Sequence, residues 1–129
     1  MNMPRVVLDT NILVSALLSP LGNPAKIYRM FLTETLELVF SEDIFTEYED
    51  VLFRPRLRIS PVDAETVLAA IRQNGETALP VPSTDAMIDE DDRVFYDAAK
   101  SAGAYLITGN TKHYPKEPFV LTPAEFLEL

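Results

Sequence analysis

The chain has 129 residues, with 20 acids against 11 bases, a formal charge of −9 and no cysteine. The length predicts one domain over 1–129, and 47% hydrophobic with 24% charged residues is globular composition, not disorder. Disulfides, thiolate zinc sites and cysteine nucleophiles are excluded, and the acidic balance disfavours nucleic-acid binding through a broad basic surface.

The N-terminus lacks a basic region leading into a long apolar core, and no apolar run approaches the roughly 20 residues of a membrane span. A cytoplasmic protein without membrane contact is the expectation.

Val6-Val7-Leu8 is a short continuous apolar run, suited to a central strand buried on both faces. It stops at Asp9, and Thr10-Asn11 lead into a helical pattern over 12–18. Asp9 therefore belongs at the carboxyl end of a central strand, where open α/β sheets place their ligands. The plainer alternative is that Asp9 caps the following helix.

The turn formers of 19–24 end that helix, and a second is predicted over 24–33 with Pro24 at its first position. A second strand follows over 36–40. Ser41 then caps a third helix with the stripe Ile44, Phe45, Tyr48, Val51 and Leu52. At 100° per residue Glu47 falls at the border of that stripe, whereas Glu42, Glu49 and Asp50 point away. Arg54, Arg56 and Arg58 end the helix as a cluster of cations, read either as compensation of the helix dipole or as a clamp for a phosphate backbone.

A fourth helix runs from Pro61 to about Asn74, where Gly75 stops it, and 77–81 reads as a short strand. The acidic cluster Asp89-Glu90-Asp91-Asp92 precedes a helix with the stripe Val94, Phe95, Ala98, Ala99 and Ala102. Asp92 lies about 20° from Ala99 on the wheel, at the border of the buried face, and Asp97 falls on the more polar side. Crowded acids are usually a solvated helix start, although a bound cation would relieve their repulsion. After Gly103 come a buried strand over 104–108 and the polar residues Gly109 to His113. His113 is the only histidine, so no histidine metal site can be built; it reads as a loop or phosphate-contacting residue. A last strand over 119–121 leads into a terminal helix with capping-box spacing from Thr122 to Glu125.

Strands alternate with helices, which predicts a three-layer α/β/α sandwich with a mainly parallel sheet of four or five strands and Val6–Leu8 central in it. Residues following the strands then converge on one sheet edge, bringing Asp9, Asn110 and Asp92 together with Glu47 reaching in from its helix. An oxygen-rich set of this kind suits Mg²⁺ or Mn²⁺. No Ser-His-Asp set beyond the single histidine and no Gly-rich phosphate loop is present, so metal-assisted phosphodiester hydrolysis is the chemistry the inventory best permits. A phosphomonoesterase with a strand-end aspartate nucleophile would want a second aspartate where Asn11 stands.

Val7 to Asn11, Ser41 to Leu52 with Glu47, Asp92 to Ala99 and Tyr105 to Asn110, in that order and spacing, resemble the PIN-domain family. That family comprises Mg²⁺/Mn²⁺-dependent ribonucleases, among them many toxins of bacterial and archaeal toxin–antitoxin pairs. The Val51-Leu52-x-Arg54-Pro55 pattern is similar to one branch of such toxins. The resemblance covers nearly the whole chain and implies a VapC-like ribonuclease with Asp9, Glu47 and Asp92 as catalytic, metal-binding acids. Asp97 and Asn110 are further metal candidates, Asn110 standing where the family usually has a fourth acid. Thr10, Asn11 and Thr108 would orient the acids, and Arg54, Arg56, Arg58, Lys112 and His113 would meet RNA phosphates. A homodimer and an antitoxin partner are implied as well. The alternative keeps the fold as an RNA- or protein-binding module with weakened or lost nuclease activity.

Overall fold

Four short apolar segments and one polar edge pair into one sheet, because no such short strand can satisfy its backbone alone. The computed structural model describes residues 3–129; Met1 and Asn2, included in the expected domain, lie outside the described residues. The strands are β1 (Arg5–Leu8), β2 (Glu37–Phe40), β3 (Glu76–Thr77), β4 (Tyr105–Ile107) and β5 (Val120–Leu121), in the order β3-β2-β1-β4-β5. Every pairing is parallel. Val6, Val7 and Leu8 are fully buried at the centre, as a both-faces apolar run requires.

Two helices, α1 (Thr10–Leu18) and α2 (Asn23–Leu32), connect β1 to β2, and α3 (Glu42–Leu52) with α4 (Pro61–Asn74) connects β2 to β3. The chain then reverses direction across the sheet through α5 (Arg93–Ala102), which packs against β1, β2 and β4. Parallel crossovers are right-handed, so this reversal puts α5 on the face opposite α1 and α2. The short terminal helix α6 (Pro123–Leu127) packs against α2 and β5. A three-layer α/β/α sandwich results. Among the described residues no helix is long and apolar enough to cross a membrane.

Local signals fix the boundaries. The Ser41 hydroxyl accepts from the Ile44 amide at 3.3 Å, which starts α3. Thr122 and Glu125 form a reciprocal capping box at 2.9 and 3.1 Å. Gly103 adopts φ +64°, the left-handed conformation that ends α5 cheaply only for glycine. At Gly75 the constraint is space: a Cβ there would lie 2.6 Å from the Ile71 carbonyl and 2.9 Å from the Phe40 ring.

Two segments depart from expectation. The strand expected over 77–81 shrinks to Glu76–Thr77, extended only by the Ala78 amide donating to Phe40 at 2.7 Å. Pro80 and Pro82 have no amide proton to continue the ladder. The helix expected to run into the arginine cluster stops at Leu52; Pro55–Leu57 form a separate 3₁₀ turn, since the proline cannot sit inside a helix. Arg72 near the end of α4 pairs with Glu42 at 2.5 Å, so α3 and α4 fold back as a hairpin with that turn at its far tip.

Candidate active site

The strand order places a topological switch point beside β1, because the chain leaves β1 towards β2 but later returns to its other side as β4. Crevices at the carboxyl ends of such strands are where open α/β sheets bind ligands. Asp9 and Thr108 follow β1 and β4 there.

Asp9 supplies the backbone cap of α1, yet its carboxylate makes no capping hydrogen bond. Instead Oδ2 accepts from the Thr108 hydroxyl at 3.0 Å and from the Tyr114 hydroxyl at 3.1 Å. The capping alternative therefore fails, and the side chain is held by two donors from the β4 side. Thr108 is 1% exposed and Tyr114 5%.

Glu47 arrives from the second turn of α3, half-buried at the border of the apolar stripe as the helical wheel anticipates. Thr10, also buried, donates its hydroxyl to Glu47 Oε2 and so ties the start of α1 to α3. One residue on, the fully buried Tyr48 donates to the Leu8 carbonyl at 2.5 Å and clamps α3 onto the end of β1. Burial, and then the negative charge of Asp9, push the Tyr48 and Tyr114 hydroxyls far above the usual tyrosine range, so both remain donors.

Asp92 ends a 3₁₀ turn, Glu90–Asp92, whose start is capped by Asp89 accepting from the Asp91 amide at 2.9 Å. Its carboxyl is pushed up from the usual 3.8 to about 6. Burial is the largest cause, followed by the charges of Asp9 and Asp89 and, more weakly, Glu47, against a lowering by His113. Asp9 and Glu47 thus lie near enough for their charges to act on Asp92. His113 closes a 3₁₀ turn, Thr111–His113, and is exposed, but its charge acts on Asp92.

The remaining candidates divide. Asp97 does not lie on a polar face: it is 7% exposed with Oδ1 buried and unpartnered. It borders a small cavity of about 130 Å³ with Ser41, Asp43 and Val94, because α5 is covered by the 78–88 connection as well as by the sheet. The wheel counted only the apolar stripe and missed that second cover. Asn11 is exposed on α1 and makes no hydrogen bond to the acids among the described residues. Asn110 is exposed too; only its backbone is engaged, the amide donating to the Thr108 hydroxyl at 3.2 Å and the carbonyl accepting from the His113 amide at 3.2 Å. Arg54 pairs with Asp50 at 2.7 Å, whereas Arg56, Arg58 and Lys112 take part in no ion pair among the described residues. Tyr48 and Tyr114 are the site residues that sequence reasoning missed. Tyr48 looked like core, which it is; Tyr114 sits 105 residues from its partner in a loop without periodicity.

The donor set is all oxygen, from three carboxylates with threonine and tyrosine hydroxyls around them. That chemistry fits a hard divalent cation. Among the described residues no three His, Asp or Glu side chains are drawn tightly enough to enclose an ion by themselves. The fit is thus with an ion that keeps several waters, as Mg²⁺ does.

A parallel sheet with acids at its switch point and helices on both faces defines a PIN-like fold. Residues 5–112 match the PIN domain, and the chain belongs to that family. An uncharacterized protein of Methanocaldococcus jannaschii is 30% identical over 109 residues, spanning 82% of this chain and 70% of that protein. The crystal structure of VapBC2 from Rickettsia felis, bound to a DNA fragment from their promoter, superposes with a TM-score of 0.60. That likeness covers 91% of this chain and 96% of the other at 16% identity, and it is a likeness of fold.

Proposed function

We propose that the chain is a metal-dependent endoribonuclease, the toxin of a toxin–antitoxin pair, with Asp9, Glu47 and Asp92 as its catalytic acids and Mg²⁺ or Mn²⁺ as cofactor. The observation that carries this reading is the treatment of Asp9. Two hydroxyls fix Oδ2 and no capping bond engages the carboxylate, and its charge, with that of Glu47, acts on Asp92, which supports a shared role for the three acids. When bound, a divalent ion supplies Lewis-acid activation of water and neutralises charge developing on a phosphoryl oxygen.

The chain's own residues do the rest. Asp9, Glu47 and Asp92 would hold the ion and its waters, with Thr10, Thr108 and Tyr114 fixing the geometry of the first two acids. Asp92, whose carboxyl is raised by burial and by the charges of Asp9 and Asp89, is where a bound cation would relieve the crowding of acids. Lys112 and His113, beside the crevice, would meet RNA phosphates, while Arg56 and Arg58 at the hairpin tip would touch RNA farther along. A homodimer would set two such crevices on one RNA, and an antitoxin would cover them; VapBC2, the neighbour in fold, was solved as a complex.

The test is cleavage of a labelled RNA pool with Mn²⁺. Asp9→Asn is expected to lose cleavage by at least about 10²-fold, and Asp97→Asn to cut within about twofold of wild type, since Asp97 faces another cavity. Equal rates for wild type and Asp9→Asn would misplace the site. A second reading, a binding module with weakened catalysis, rests on Asn110 in place of an acid. It predicts RNA binding without turnover in the same assay.

A further inference from the structure

A cleft of about 570 Å³ lies between the segment 111–117 and the start of β5. Its volume is within the ~300–1,000 Å³ typical of small-molecule sites. Lys112, Tyr114, Pro115, Lys116, Glu117 and Val120 line it. Tyr114 lines this cleft and also donates to Asp9 Oδ2, so one side chain links the cleft to Asp9. Most of the lining lies beyond residue 112, where the match to the PIN domain ends.

We propose that this cleft is a nucleotide subsite that holds the residue of RNA next to the scissile phosphate and favours guanine. The inference rests on the ribonuclease reading for its role but on separate residues for its chemistry. Lys112 and Lys116 are the two cations of the cleft, and neither is engaged in an ion pair among the described residues. In a chain of charge −9, two uncommitted lysines on one cleft concentrate the attraction for a phosphate. Pro115, partly exposed, offers apolar surface against which a base can pack, and Val120, buried, closes the floor beneath it.

Glu117 supplies the selection. An ionised carboxylate only accepts, and it takes two parallel donors well. The Watson–Crick edge of guanine presents two adjacent N–H donors; that of uracil presents one, flanked by carbonyls that a carboxylate repels. The other carboxylate on the cleft, Glu125, already accepts from the Thr122 amide at 2.9 Å in the cap of α6. The Glu117 carboxylate makes no hydrogen bond among the described residues, only its backbone carbonyl accepting from the Val120 amide at 3.2 Å, which leaves the side chain open to a base.

Amide NMR of the full chain in EDTA, titrated with GMP and then with UMP, tests this without any cleavage. GMP is expected to move the amides of Lys112, Tyr114, Lys116 and Val120, and to bind about fivefold more weakly to Lys116→Ala. Glu117→Gln is expected to remove the preference for GMP over UMP. The subsite is overturned if neither nucleotide moves those amides, and its selectivity if both bind wild type equally. Cleavage failing while GMP still binds the cleft would defeat the nuclease reading alone; cleavage persisting without GMP shifts would defeat the subsite alone.

Discussion

Asp92→Asn separates the electrostatics of the crevice from its chemistry, because it removes a charge while keeping the shape. In the folded protein the Asp92 carboxyl is raised from the usual 3.8 to about 6, chiefly by burial and then by Asp9. Between those two values the folded state holds more protons than the unfolded chain. Stability therefore falls as pH rises from about 4 to about 6, and stays low above that. Converted in full, a shift of roughly two units is about 3 kcal/mol. The carboxylate is only half-buried, and solvent screening reduces this to ~1 kcal/mol. Asparagine does not titrate, so in EDTA the variant should exceed wild type by ~1 kcal/mol at pH 7.5, seen as roughly 3–5 °C in Tm, and by nothing at pH 4. Thermal unfolding followed by circular dichroism at the two pH values measures this difference directly. Adding Mg²⁺ at pH 7.5 should raise the wild-type Tm and leave the variant's nearly unmoved. A gap that is absent at pH 7.5, or equal at both pH values, refutes the reasoning.

Tyr114→Phe removes one of two donors from Asp9 and should lower kcat/KM by about five- to tenfold with little change in Tm, read from steady-state cleavage beside a melt. Tyr48→Phe leaves the Leu8 carbonyl unpaired in the core and should cost about 1–3 kcal/mol in urea unfolding. Gly75→Ala drives a methyl into the Ile71 carbonyl and the Phe40 ring; a loss of about 1–3 kcal/mol is expected by the same method. An unchanged midpoint there would mean that α4 and β2 are farther apart than described.

The parts of this fold that the sequence announced are those where neighbours in the chain are also neighbours in space. Val6–Leu8 declared a central strand by being apolar without interruption, and Ser41, Thr122 and Gly103 marked helix ends through local hydrogen-bond and backbone chemistry. The placement of Glu47 was legible because a single helix with one buried stripe obeys the wheel. Asp97 was not, since the loop carrying Pro80 and Pro82 covers its helix on a second side, and no period encodes a loop. The donors to Asp9 differ for the same reason. Thr108 could be anticipated from the end of a strand beside β1, whereas the Tyr114 hydroxyl reaches Asp9 only through the tertiary path of a 3₁₀ turn. Asn110 was expected to converge with the acids by its position after β4, but only its backbone is used.

The two-residue strands at the flanks of the sheet govern how copies of this chain can meet. An outer edge with many free amides and carbonyls invites a neighbouring strand to dock. Here β3 runs into Pro80 and Pro82, while β5 is bracketed by Pro118 and Pro123, so each edge offers a visitor a ladder of only a rung or two. Growth of the sheet across a molecular boundary, and the fibrillar stacking that follows from it, gains almost nothing. Any stable pairing of two copies must be built from helix surfaces, with side chains rather than backbone setting its specificity.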